Sequence, residues 1–186
     1  RSLRERFVSG SPAGAEYSAV SVMDMLRKAL PLTVEAKGKD VISQSEAMYV
    51  NLLAAGLQSS EGKPVREYVD AAMKAVAKML AAANDDGGFG WFEGMKSSPI
   101  VTAVVLERFA GLRERKLLNV VSDELGEDAL DAFDEAVVSA VRYMDSVYFG
   151  GPDRPVWYGC ISLWQYLNVR SMYLGVPFDE AAARKA

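Results

Sequence analysis

The chain contains no histidine and a single cysteine, Cys160. The absence of histidine removes imidazole as base, shuttle or metal ligand, and with it the Ser-His and Cys-His nucleophile systems. One thiol cannot form a disulfide within the chain. Basic charge is also short. Lys and Arg total 21 against 25 Asp and Glu, for a net charge of -4, so nucleic-acid binding is not expected. No apolar run approaches the roughly 18 residues of a membrane span, so none is expected in this chain. No calcium-loop spacing, cofactor motif or signal peptide is present.

What remains is enough to build a core. Half of the 186 residues are hydrophobic and a quarter are charged, which fits one domain or a large piece of one. The chain opens on Arg1-Ser2-Leu3 without an initiator Met and closes on an alanine-rich stretch, Glu180 to Ala186, with no helix stop. It reads as a segment of a longer protein: residues 1–15, with Gly10, Pro12 and Gly14, form an irregular lead-in, and 16–186 form the folded region.

The periodicity is helical nearly throughout. Val65, Tyr68, Val69, Ala72, Met73, Val76, Met79 and Leu80 form one stripe, with Arg66, Asp70, Lys74 and Lys78 opposite. A second stripe runs from Leu130 through Phe133, Val137 and Val141 to Met144. Three other stretches are apolar nearly all round: Met48 to Leu57, Ile100 to Phe109, and Ile161 to Leu174. Such helices are expected to be buried on several sides. Alternation of buried and wet helices predicts an all-α, layered α/α arrangement of about seven helices, with Leu52, Val104 and Trp164 inside. A β fold is disfavoured, because no period-2 alternation is sustained. Ser98-Pro99 reads as an N-cap and first helical position, Asp85-Asp86-Gly87-Gly88 as the close of the preceding helix, and Phe149-Gly150-Gly151-Pro152-Asp153 as a later stop.

The sharpest local signal is Asp86-Gly87-Gly88-Phe89-Gly90-Trp91-Phe92. Its glycines permit positive φ and close packing, so the loop is expected to be structural first, turning an outer helix into an inner one. The alternative is a loop that displays Trp91 and Phe92 to a partner or ligand. The acidic run Asp123, Glu124, Glu127, Asp128, Asp131, Asp134 and Glu135 reads as the solvated start of an amphipathic helix. Asp85 and Asp86 as a glycosidase pair are disfavoured, because adjacent turn residues rarely face one another. Cys160 reads as a buried small hydrophobe, with no histidine to activate it.

The stretch Asp86 to Phe92, followed by Lys96-Ser-Ser-Pro-Ile-Val-Thr-Ala103, resembles the loop and following helix of the thioester domain of bacterial alpha-2-macroglobulin-like proteins, which are relatives of complement components. Ser45-Glu-Ala-Met-Tyr-Val-Asn-Leu-Leu-Ala-Ala55 is similar to the helix after the family's thioester, and Leu163 to Tyr173 to its later aromatic helix. The likeness runs from about Tyr17 onward and implies an α/α toroid, incomplete over this length. Terpenoid cyclases and other toroids carry similar Asp-Gly-Gly-aromatic-Gly turns. In the family, a Cys-x-Glu-Gln sequence just before this first helix forms an internal thioester. Counting back from Tyr49, the Cys position falls near Asp40 and the Gln position near Ser43, in Lys39-Asp-Val-Ile-Ser-Gln-Ser45. No sulfur is present there, so no thioester can form, although Gln44 lies nearby. The resemblance therefore implies a non-enzymatic domain without cofactor, in a periplasmic or envelope protein. That protein would restrain proteases by entrapment alone, and the domain's partners would be the parent's other domains and the proteases themselves. The runners-up are a carbohydrate-active or lyase-type toroid enzyme and a plain interaction module. Carboxylates and tyrosines converging in an open cleft would favour the enzyme.

Overall fold

A computed structural model describes residues 21–29, 35–60, 62, 64–120, 127–149 and 161–178. The lead-in, Asp123 and Glu124, Gly150 to Cys160, and the alanine-rich end lie outside them, so the expectations placed there are not addressed. The described residues are all-α. Their helices are α1 (Val22–Ala29), α2 (Val41–Ser60), α3 (Arg66–Leu80), α4 (Pro99–Glu114), α5 (Leu117–Val120), α6 (Glu127–Phe149) and α7 (Leu163–Ser171). No strand occurs among them; the extended pairing seen is an isolated antiparallel bridge between Ala83 and Phe89.

Helix α4 is the hub. It packs against α2, α5, α6 and α7, while α3 packs against α2. Its sequence explains this position, because apolar residues occur on every side of Pro99–Glu114 and Pro99 begins it without losing a useful N–H. Val101, Val105, Leu106 and Leu112 are fully buried, and Phe109 meets Phe133 of α6 edge-on at 5.2 Å. Val104 is half-buried. Leu52 of α2 is buried with Met48 and Ala55. Helix α3 turns Val69, Ala72, Val76 and Met79 inward and leaves Lys74 and Lys78 exposed, as its single stripe requires.

Three local expectations need correction. Trp164 is not inside: it is 79% exposed, and Leu163 and Leu167 of the same helix are also open to solvent. Only Tyr166 and Val169 of α7 are buried, and among the described residues this helix packs chiefly against α4 and α6. Ser98 occupies the N-cap position of α4, but its side chain makes no cap bond; its carbonyl accepts from Thr102 N and Oγ1 instead. Helix α3 ends at Leu80, well before Asp85, because the chain must already turn back to pair Ala83 with Phe89.

Helix α7 is held by polar groups together with one packed face, where Tyr166 stacks on Tyr148 of α6 at 4.3 Å. Ser162 and Gln165 form a capping box at its start. Asp145 of α6 accepts from Tyr166 Oη at 2.7 Å and from Arg170 Nε at 3.1 Å, and Arg170 also donates to the carbonyls of Tyr173 and Val176. Tyr173 Oη donates to the Leu106 carbonyl of α4. Burial raises the pKa of both phenols.

Candidate functional site

The loop from Asp86 to Phe92 is tied down by bonds its own sequence supplies. Gly87 has φ +84°, the left-handed region that side chains rarely adopt, and a Cβ there would lie 2.4 Å from the Ser139 carbonyl oxygen of α6. A Cβ on Gly88 would lie 2.6 Å from Ser97 Cβ and 2.8 Å from the Tyr143 ring. Asp86 accepts from Gly88 N at 3.0 Å and Ser97 Oγ at 2.6 Å. Asn84 Nδ2 donates to Met95 O and Ser97 Oγ. Gly90 N donates back to Ala82 O, just before the bridge. Phe89 is buried, with its N–H on Thr102 Oγ1 at 2.9 Å and its carbonyl accepting from Ser98 N. The loop is thus sewn onto the first turn of α4. Trp91 and Phe92, 41% and 48% exposed, face outward beside Met95.

The same loop reaches the start of α2. The Trp91 carbonyl accepts from Val41 N at 2.9 Å. Directly ahead of that helix, Asp40 Oδ1 accepts from Ser43 N at 2.9 Å and Oδ2 accepts from Ser43 Oγ at 2.7 Å. Asp40 is therefore the N-cap of α2, satisfying an N–H that the first turn leaves over. The Ser43 hydroxyl, with help from backbone N–H groups, holds this carboxyl below the usual aspartate pKa against a smaller effect of burial. Gln44 is buried, and its Nε2 donates to the Gly38 carbonyl at 2.6 Å. Arg108 of α4 completes the arrangement: Nη1 donates to the Ile42 carbonyl at 2.7 Å and to Ser45 Oγ. Desolvation lowers its pKa, opposed by the charges of Glu46, Asp40 and Glu107.

The structure thus joins Asp40 and Ser43 to the loop through one helix start. It does not make a site of the acidic run. Asp128, Asp131 and Glu135 are exposed, and Asp134 pairs with Arg113 at the surface. Asp86 is engaged within its own loop, and Asp85 lies exposed beside it. Among the described residues, no group of His, Cys, Asp and Glu is placed to hold a metal ion.

Two features were not foreseen. One is the Arg108 clamp, whose sequence signal is a lone cation inside the apolar stretch Ile100 to Phe109. The other is a cleft of about 870 Å³ whose walls include Tyr49, Glu107, Arg108, Glu114 and Arg115, with Met172 at its edge. Its residues come from α2, α4 and the turn after α7, and no single stretch announces it. No described helix is long and apolar enough to cross a membrane. No family model, curated protein or solved structure matches the chain.

Proposed function

We propose that the chain is the thioester-type α/α-toroid domain of an alpha-2-macroglobulin-like envelope protein that has lost its thioester, and that it serves protease restraint by entrapment without chemistry of its own. The observation that carries this reading is the bond from Val41 N to the Trp91 carbonyl. It ties the start of the helix bearing Ser45 to Ala55 to the Asp-Gly-Gly loop, so two stretches that resemble the family separately are neighbours in space. The third, Leu163 to Tyr173, meets the same hub helix through Tyr173 and Leu106. At the thioester positions, Asp40 and Ser43 have a different use as a helix cap. The outward apolar groups of the loop and of α7 are surface of the kind that neighbouring domains cover.

The test uses the parent protein and an active protease. The expected result is a protease that still cleaves a small chromogenic peptide but no longer a large protein substrate, with no covalent adduct on a denaturing gel and no labelled methylamine incorporated. Equal loss of both activities, loss of neither, or an amine-sensitive adduct would contradict the proposal.

The cleft favours the enzyme reading, because Tyr49, Glu107 and Glu114 share it. Release of reducing ends or unsaturated products from polysaccharides, abolished by Tyr49→Phe, would establish that reading in place of the first.

A further inference from the structure

The cleft between α2, α4 and the turn after α7 holds hydrogen-bond donors that have no acceptor among the described residues. Arg108 has five N–H donors. Those on Nη1 face Ile42 O and Ser45 Oγ, while Nε and Nη2 have no acceptor among the described residues and are not sealed from solvent. Arg115 donates from Nη1 to the Gly111 carbonyl at 3.1 Å, and its other donors have no acceptor among the described residues. The Tyr49 hydroxyl has no hydrogen bond among the described residues. Gly111 brings two of these groups together: a Cβ there would lie 3.2 Å from Arg115 Nη1, 3.2 Å from the Tyr49 ring and 3.5 Å from its hydroxyl. Arg115 and Tyr49 therefore converge over bare backbone. Among the described residues, no carboxylate oxygen lies within 4.0 Å of either free guanidinium, whereas Arg113 is taken by Asp134.

The walls also carry Glu107, which accepts from Asn168 at 3.3 Å, and Glu114. The walls thus mix both signs, with the open donors of Arg108 and Arg115 beside Glu107 and Glu114. A polyanion such as nucleic acid or a sulfated polysaccharide would meet repulsion as well as attraction, so the arrangement fits a ligand that bears both signs. We propose that the cleft binds a mixed-charge peptide segment. An Asp or Glu carboxylate of the peptide is received by Arg115 and the Tyr49 hydroxyl where they converge, Arg108 adds open donors elsewhere on the same wall, and a neighbouring Lys or Arg lies against Glu107 and Glu114. A guanidinium matches a carboxylate with paired, charge-assisted bonds, and the anchored Nη1 of Arg108 already restricts that side chain before binding. The inference is independent of protease entrapment and stands or falls without it.

Fluorescence anisotropy of a labelled peptide of alternating Glu and Lys with the 186-residue chain tests it. Replacing the peptide's Glu by Gln should weaken binding at least about tenfold, the effect of losing one charge-assisted hydrogen bond. Arg115→Gln and Tyr49→Phe should each weaken binding while melting like the wild type, and Lys74→Gln on α3 should do nothing. These variants are preferred to Arg108→Gln, which would also release the start of α2. Absence of binding, equal binding of the Gln peptide, indifference to Arg115→Gln, or stronger binding of a heparin fragment than of the peptide would each overturn the proposal.

Discussion

Helices α4 and α7 look alike in sequence and behave differently in the fold. Both are apolar around most of their circumference. Around α4, neighbours stand on several sides, and Val101, Val105, Leu106 and Phe109 are at most 1% exposed. Around α7, the described neighbours are chiefly α4 and α6. Its inner groups, Tyr166 and Val169, are buried, while Trp164 on the other face is 79% exposed and Leu174 just beyond the helix is 82% exposed. All-round apolarity therefore reports a demand for neighbours rather than their presence. What holds α7 is its one packed face, with Tyr166 stacked on Tyr148, and one carboxylate, Asp145, receiving a phenol and a guanidinium.

Truncating the hub should cost most. Phe109→Ala removes a buried ring and its edge contact with Phe133, and denaturant unfolding should show a loss of about 3–5 kcal/mol. Asp145→Ala leaves Arg170 and Tyr166 without their common acceptor, with both ion-pair side chains 11% exposed. About 3 kcal/mol should be lost, seen in hydrogen exchange as unprotected amides in α7 while α2 and α4 stay protected. If the loss spreads evenly over α4, the two helices are not separate in the way described. Gly87→Ala combines a positive φ with a contact against the Ser139 carbonyl, so its melting should report about 2 kcal/mol of destabilisation.

Smaller effects sharpen the picture. Asp40→Ala should cost about 1 kcal/mol at neutral pH through the lost cap. Because the folded protein lowers this carboxyl's pKa, the contribution from its ionised form is present above the unfolded value and is lost as pH falls through the folded value. The gap between wild type and variant should narrow in acid; a constant gap would mean that the charge plays no part. Trp164→Ala should be smallest, within about 0.5 kcal/mol by denaturant unfolding, because little of the ring is buried.

Local chemistry was the legible part. Glycines at 87 and 88, Pro99 at a helix start, and the single stripe of α3 each act over a few residues, and they lie where their spacing places them. Asp40 caps α2 through an Asp-to-Ser pairing over three residues, a local signal as short as the others. The groups that sequence reading missed act across long separations. Arg108 reaches back 66 residues to Ile42, and Arg170 reaches 25 to Asp145. No periodicity encodes such pairs. The exposure of Trp164 was hidden for the same reason, because a helix's pattern states which faces are apolar and says nothing of how many are covered.

Hydroxyl-radical footprinting of the chain tests the contrast between hub and edge most directly. Trp164 and Leu174 should oxidise quickly and Phe109 and Met144 slowly, in keeping with their exposures of 79%, 82%, 1% and 2%. Protection of Trp164 equal to that of Phe109 would contradict the account, since α7 would then be enclosed like α4.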